Sequence, residues 1–358
     1  MGHKIALISD IHFGVKNNSE TYLKIIRDFF LKTLSSVVKT RKITDVRILG
    51  DLFDCRNNIN VRTMNTVLDI FRWYEEKMPE VKFRCLVGNH DIYFRNRIDV
   101  SSLRMLEKFS NFEVIDTITE ENINGKKVIT YPWLIEDSEI EKLFDAHCSG
   151  KKKWDLCLGH FEISGFEMTK GNVDEDGIQQ GKFKNFGRVF TGHYHLRNTI
   201  GHISYLGCPF EINWNDYGDD KGVHIYDVDQ NKTEFIPNDD SPKHVRIKVS
   251  DLMEADEKKL KALEGNSIKL VIDKKYEDTE IMAAQSVIEK LELIRVDTEN
   301  TFVDEEIDAE DVDITNLGNA MVFLKEFVEN IDHEEGLTAK ETLEYLTDIH
   351  ALVETEND

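Results

Sequence analysis

Five short polar motifs follow apolar runs within the first 195 residues, and each carries side chains that bind metal ions. They are Asp10-Ile11-His12, Gly50-Asp51-Leu52-Phe53-Asp54, Gly88-Asn89-His90-Asp91, Gly159-His160 and Gly192-His193-Tyr194-His195. A pair of divalent ions needs one bridging carboxylate and a mixed shell of nitrogen and oxygen ligands. One such motif is weak evidence, because a lone histidine after a strand is common. Five in order predict a two-metal site.

The spacing within the motifs identifies the candidate ligands. An alternating D-x-H or H-x-H segment places both side chains on the same face of an extended chain, so one strand end supplies two ligands. Asp51 is the natural bridging carboxylate. The seven candidate metal ligands are Asp10, His12, Asp51, Asn89, His160, His193 and His195.

Strand-like runs lead directly into the motifs. In the first 90 residues, KIALIS, VRILG and FRCLVG alternate with amphipathic segments at 19–39 and 59–78. This pattern predicts alternating strands and helices, and open α/β sheets bind ligands beyond the carboxyl ends of their strands. Denser strand-like runs from about 112 to 236 predict a second sheet packed on the first. The expected fold class is therefore a layered α/β sandwich.

The length of 358 residues exceeds the roughly 250–300 that one hydrophobic core organises. We expect a metal-binding domain at 1–240, a small β-α-β-α accessory domain at 241–296, an acidic linker at 297–313 and a helical tail at 314–358. Two short amphipathic helices in the tail cannot bury their apolar faces alone. They either fold back onto the body or dock on a partner's helix, and the acidic linker favours docking.

The charge is concentrated at the end of the chain. Residues 297–358 hold 20 Asp or Glu and two Lys, which is −18 of the net −23. The first 296 residues carry only −5, so a metal centre there can still bind a polyanion. Five scattered cysteines without a CxxC pair indicate reduced thiols. No apolar run approaches the ~20 residues of a membrane span, which favours a cytoplasmic protein.

The ordered motifs resemble the calcineurin-like metallophosphoesterase superfamily and, more narrowly, the SbcD-type DNA-repair nuclease family. The recombination endonuclease subunits of T-even bacteriophages are similar in length, in GDxFD, in the stretch from Gly159 to Phe166 and in EFIPN at 234–238. The likeness covers most of the chain and is weaker in the tail. It implies an α-β-β-α sandwich with a capping accessory domain, acting in the host cytoplasm if the chain is phage-encoded.

The resemblance also implies roles for individual residues. One metal would be held by Asp10, His12, Asp51 and His195, and the other by Asp51, Asn89, His160 and His193. His90 matches the family's catalytic histidine, which is not a ligand, and Asp91 would orient His90 or a ligand histidine. Asp54 stands where cellular members often have a histidine. Two Mn²⁺ are expected, with iron or zinc as alternatives and magnesium less favoured.

The implied reaction is attack of a hydroxide, held between the two metals, on the phosphorus of a phosphodiester. We expect a DNA exonuclease and endonuclease subunit that binds a coiled-coil, SbcC-like ABC-type ATPase through 314–358. A stand-alone phosphodiesterase for a small nucleotide is the alternative, although it would need neither accessory domain nor tail. A scaffold without catalysis would usually lack some ligands. Apolar residues at 60–77 indicate either a homodimer interface or a helix packed on the sheet.

Overall fold

The computed structural model describes residues 2–133, 147 and 153–302 of the chain. Two six-stranded sheets, one three-stranded sheet and one two-stranded sheet form within these residues. The strands are β1 (Lys4–Ile8), β2 (Asp45–Ile48), β3 (Lys82–Leu86), β4 (Phe112–Ile115), β5 (Thr119–Ile123), β6 (Lys126–Tyr131), β7 (Trp154–His160), β8 (Glu167–Thr169), β9 (Asn172–Val173), β10 (Phe186–Gly192), β11 (Asn198–Ile200), β12 (Ile203–Tyr205), β13 (Gly222–Asp227), β14 (Lys232–Pro237), β15 (His244–Lys248), β16 (Ser267–Ile272) and β17 (Arg295–Asn300).

The first sheet has the order β14-β13-β1-β2-β3-β4. Strands β1 to β4 are mutually parallel, whereas β13 runs antiparallel to β1 and β14 runs antiparallel to β13. Ile5 to Ile8 of β1 and all of β2 are buried, as expected for parallel strands covered on both faces. The carboxyl ends of β1, β2 and β3 therefore lie side by side, and the first three motifs begin there.

Helices cover the outer face of this sheet. They are α1 (Glu20–Asp28), a π-helical segment (Phe29–Leu34), α2 (Ser35–Arg41) and α3 (Val61–Lys77), and a short turn (Val15–Asn18) precedes them. The expected helix at 19–39 thus contains one π-helical stretch. The side chain of Asn60 accepts from the Arg62 amide and caps α3. Phe30, Phe71 and Phe83 lie in the core between these helices and the sheet.

The second sheet has the order β11-β12-β10-β7-β6-β5, with β6, β7, β10 and β12 parallel. Its inner face packs on the first sheet through a shared core that includes Ile5, Leu7, Leu158 and Phe190. The last two motifs follow the carboxyl ends of β7 and β10. The predicted α/β class and the packing of two sheets are confirmed.

Residues 244–300 form the third sheet, in which β15, β16 and β17 are parallel. The helices α4 (Val249–Met253), α5 (Glu257–Leu263) and α6 (Asp278–Ile288) pack on it around a separate apolar cluster. The expected β-α-β-α order has one helix between its two strands, but there are two between β15 and β16, because the Asp256 side chain accepts from the Lys259 amide and starts a new helix.

The acidic linker was expected to begin at residue 297, but β17 continues to Asn300. The two acidic residues at the start of this stretch have cationic partners, since Asp297 pairs with Arg295 at 2.8 Å and Glu299 pairs with Arg246 at 2.7 Å. Asp297 also accepts from Trp214 Nε1 at 2.9 Å. The rest of the expected linker from residue 303 and the helical tail at 314–358 lie outside the described residues. Among the described helices, none has the length and apolar character required to span a membrane.

Candidate metal centre

All seven candidate ligands meet where the carboxyl ends of the two six-stranded sheets come together. Asp10, His12 and His195 form one group, in which the ligand atoms lie within 4.8 Å of one another. Asp51, His160 and His193 form a second group by the same measure. The Asp51 carboxylate joins them, because its Oδ2 lies 3.9 Å from His12 Nε2 and 3.3 Å from His160 Nε2.

Four of the candidate ligands have a backbone conformation that is uncommon for residues other than glycine. Asp10, His12 and Asp51 have φ between 51° and 54°, and His193 has φ 97°. Each such residue costs on the order of 1–3 kcal/mol and persists only where the surroundings enforce it. Here the first two loops bind each other, since the amides of Ile11 and His12 both donate to the Asp51 carbonyl.

Two motif glycines let the loops approach closely. Gly50 has φ +89°, and a Cβ there would lie 2.4 Å from His160 Nδ1. A Cβ on Gly88 would lie 2.2 Å from Asp51 Oδ1. Both distances are shorter than any side chain tolerates, so these positions need glycine for the ligands to converge.

Contacts behind two histidines fix which ring nitrogen carries a proton. His160 Nδ1 lies 2.6 Å from the Leu49 carbonyl, and His193 Nε2 lies 3.0 Å from Glu162 Oε1. In the neutral rings each of these nitrogens is therefore the donor, which leaves lone pairs on His160 Nε2 and His193 Nδ1. Both lone pairs face Asn89 Oδ1, at 3.0 Å each.

A cation bound at this point would accept these converging lone pairs. In the orientation described, Asn89 Oδ1 faces only acceptors. If the amide is rotated so that its oxygen and nitrogen exchange places, the nitrogen donates to Asp51 and both histidines, and the oxygen accepts from Arg56. With the oxygen inward, two imidazoles, an amide and a carboxylate form a ligand set suited to a divalent transition metal. The residues of the second group fit a bound ion.

The first group has the same character. His12 Nδ1 lies 3.4 Å from Asp54 Oδ1, so its Nε2 is left to face His195 Nε2 at 3.0 Å. Burial and the neighbouring His12 lower the pKa of His195 to about 4, which keeps that imidazole neutral, as a metal ligand must be. Asp10 completes the group, and both of its oxygens accept from the His193 amide.

Asp51 and His160 form a buried ion pair, and each shifts the pKa of the other. Burial acts to raise the pKa of Asp51, but the nearby His160 and His12 hold it well below its usual range. Burial acts to lower the pKa of His160, but Asp51 raises it to about 9. A divalent ion would displace the proton that this pair shares.

His90 lies beside the ligands but in neither group described above. Its backbone amide donates to Asp51 Oδ1 at 2.9 Å, and its Nδ1 lies 2.6 Å from the Asp54 carbonyl. The ring of His90 meets that of His12 edge-on, with centroids 5.0 Å apart. His90 is half-buried, so its ring is close to the ligands and open to an approaching substrate.

Asp91 does not have the contacts that the sequence led us to expect. Its carboxylate accepts from the backbone amides of Gly88 at 2.9 Å and Phe53 at 3.0 Å, and more distantly from that of Leu52. It was expected to orient His90 or a ligand histidine. Instead it joins the loop that carries Asn89 to the loop that follows Asp51.

Sequence reasoning overlooked the supporting residues. Glu162 stands within the quoted stretch after Gly159, and it contacts His193. Asp54 had been noted only as a departure from the family pattern, yet its carboxylate faces His12 and its carbonyl faces His90. Trp133, which stacks on His193 with centroids 5.2 Å apart, carried no sequence signal.

Comparison with known proteins agrees with this geometry. Residues 3–197 match the family described as calcineurin-like phosphoesterase, which is more than half of the chain, and the protein belongs to that family. The chain is also 26% identical over 329 residues to Exonuclease subunit 1 of Enterobacteria phage T4, covering 92% of this chain and 93% of that protein. The resemblance to the superfamily and to a phage nuclease subunit is confirmed.

A solved structure, described as "Structural and Functional Characterization of a Novel Archaeal Phosphodiesterase", matches more remotely. It is 11% identical with a TM-score of 0.34, and the match covers 65% of this chain and 99% of that one. A match with so low a TM-score supports no conclusion about this chain.

Proposed function

We propose that this protein is the metal-dependent nuclease subunit of a DNA recombination and repair complex, with exonuclease and endonuclease activity. The observation that carries the proposal is the meeting of seven candidate metal ligands where the carboxyl ends of two sheets come together in a phosphoesterase fold. Similarity to a phage exonuclease subunit along nearly the whole chain supports DNA as the substrate.

The residues divide into two ligand sets and one catalytic group. Asp10, His12, Asp51 and His195 would hold one ion, and Asp51, Asn89, His160 and His193 the other. When bound, the ions supply the nucleophile and neutralise charge on the phosphoryl oxygens. His90 would contact the scissile phosphate or assist the leaving oxygen. Asp91 would act indirectly, by holding in place the loops that carry ligands.

Manganese is the ion that we propose. Imidazole, carboxylate and amide ligands occur together in both sets, and magnesium prefers oxygen alone. Iron and zinc suit the same ligands and are the alternatives. Comparing cleavage by metal-free protein reconstituted with each ion distinguishes them.

We further propose a division at 1–240, 241–296, 297–313 and 314–358, in which β17 extends the second part to Asn300 and so shortens the linker. The second part would cap the site, and the last would bind a coiled-coil, SbcC-like ABC-type ATPase. The separate apolar cluster of residues 244–300 supports an accessory domain. The phage relative is itself an exonuclease subunit, which supports a partner for this chain. The site of action would be the cytoplasm, that of the host if the chain is phage-encoded.

A homodimer through 60–77 is also part of the proposal. Val67, Phe71 and Tyr74 of α3 are buried in the core, and Met64, Leu68 and Trp73 pack against that core while part of their surface stays exposed. Val61 at the start of the helix is 76% exposed. Light scattering of Leu68→Glu against the unaltered protein tests it, because a dimer through this face should become a monomer.

The function is tested with end-labelled double-stranded DNA and manganese, with Asp51→Ala as the control. A cyclic-nucleotide analogue is assayed in parallel. Cleavage of DNA that Asp51→Ala abolishes supports the proposal. Turnover of the analogue alone would favour the stand-alone phosphodiesterase instead.

A further inference from the structure

Lys221 lies behind His195 and is buried, with 7% of its surface exposed. Its ammonium donates to three acceptors: the His195 carbonyl at 2.6 Å, Asp216 Oδ1 at 2.9 Å and Asp219 Oδ2 at 2.9 Å. An ammonium has three N–H donors, so each has an acceptor. Two of these acceptors are carboxylates, and the third is the backbone of a candidate metal ligand.

The carboxylates that hold Lys221 are themselves fixed by the backbone. Asp216 Oδ2 accepts from the amides of Ile212 at 2.9 Å and Asn213 at 3.0 Å. Asp219 Oδ2 accepts from the amide of Arg197 at 3.0 Å. The ammonium therefore has little freedom to move, and its remaining donor points at the His195 carbonyl.

That carbonyl is held from a second side as well. It accepts from the Cys208 amide at 3.2 Å, and a Cβ added at Gly207 would lie 2.6 Å from it. The turn at 207–208 thus packs directly on the backbone of His195. At the other end of the residue, His195 Nε2 faces His12 Nε2, so the contacts with Lys221 and Cys208 set where the ring can lie.

A buried ammonium costs several kcal/mol in desolvation unless its partners compensate. An apolar side chain of similar length would fill the same space without that cost, although it would offer no donor to a carbonyl. His195, Cys208 and Asp216 also come close enough together to hold an ion. Lys221 already neutralises that group through Asp216, so we assign no third metal there.

We propose that Lys221 is a positioning residue for His195 and thereby controls occupancy of one metal site, that of Asp10, His12 and His195. This inference rests on the two-metal centre of the proposed function. The other site has different supports, because His160 is held by the Leu49 carbonyl and His193 by Glu162. Loss of Lys221 should therefore affect one ion and spare the other.

The test is calorimetric titration of the metal-free full-length protein with Mn²⁺, without DNA. The unaltered chain should bind two ions. Lys221→Met should bind one ion normally and the other about 10–100-fold more weakly, as is typical when support behind a ligand is removed. Electron paramagnetic resonance of the same samples should show loss of the coupled manganese pair.

Arg47→Met is the matched control. Arg47 is also a buried cation, and it pairs with Asp45 and Glu121, which are not candidate ligands. Its loss should lower stability but leave two ions bound. If Lys221→Met fails to fold, the double variant Lys221→Met with Asp216→Asn removes the more deeply buried of the two carboxylates that lose their partner, and its titration decides in the same way.

Two ions bound with unaltered affinity in Lys221→Met would overturn the proposal. Equal weakening of both ions would overturn it too, because it would show a general structural role. If the unaltered chain binds fewer than two ions, the two-metal centre that the proposal requires does not form, and the proposal is overturned. None of these outcomes depends on DNA cleavage, so a failure of the nuclease proposal is seen separately.

Discussion

Replacing Asp91 with alanine is expected to lower stability and to weaken metal binding together. The change removes the acceptor for the buried amides of Gly88 and Phe53. A buried donor left without a partner costs about 1–3 kcal/mol, so the two together cost about 2–6 kcal/mol. Burial and the nearby Asp51 raise the pKa of Asp91 to about 6. These surroundings disfavour the charged carboxylate, so its removal recovers part of the lost free energy of unfolding. We expect a net loss of about 2–4 kcal/mol, which lowers the melting temperature by about 5–10 °C.

The assay is thermal unfolding of the metal-free protein, together with a manganese titration of a separate, folded sample. Glu211→Ala is the control, because Glu211 is a buried carboxylate that accepts from the backbone and ring of His244. It should lose stability and keep two ions. If Asp91→Ala instead keeps its melting temperature and both ions but cleaves DNA slowly, then Asp91 acts on His90 and the reasoning is wrong.

Three further predictions concern single positions. His90→Ala should lower the cleavage rate by about 10²-fold or more while two manganese ions stay bound; loss of metal occupancy, measured by elemental analysis, would mean that His90 is a ligand. Gly50→Ala should abolish manganese binding at the second site, because its Cβ would lie 2.4 Å from His160 Nδ1. Gly125→Ala, also at positive φ but with open space around it, should bind manganese normally in the same titration. Burial lowers the pKa of His224 to about 4, below the usual ~6.5 of an unfolded chain. The folded state therefore binds fewer protons between these values, and stability should fall by about 3 kcal/mol as the pH drops from about 6.5 to 4. Urea unfolding should show this fall, and His224→Gln should reduce it; an unchanged profile would refute the assignment.

The sequence was sufficient to predict the main elements and the convergence of the candidate ligands, for a physical reason. Buried parallel strands are continuous apolar runs, and each ran directly into a polar motif, so the strand ends and the ligand positions were readable together. Because parallel strands bring their carboxyl ends to one edge, Asp10, Asp51 and Asn89 were expected to meet. The structure brings them together as expected.

The remaining features depend on contacts that local pattern does not encode. The left-handed backbone at Asp10, His12 and Asp51 arises from hydrogen bonds between two loops about 40 residues apart in the chain. Asp91 follows His90 in sequence, which suggested that it orients the histidine, but its carboxylate points toward backbone amides. Lys221 supports His195 from 26 residues away, and neither its type nor its spacing marked it as part of the site.

Diffraction from crystals soaked in manganese, recorded at the manganese absorption edge, tests the central claim most directly. We predict two anomalous peaks, one among Asp10, His12 and His195 and one among Asn89, His160 and His193, with Asp51 touching both. A single peak, or a peak beside Cys208 instead of between the two ligand groups, would contradict the account.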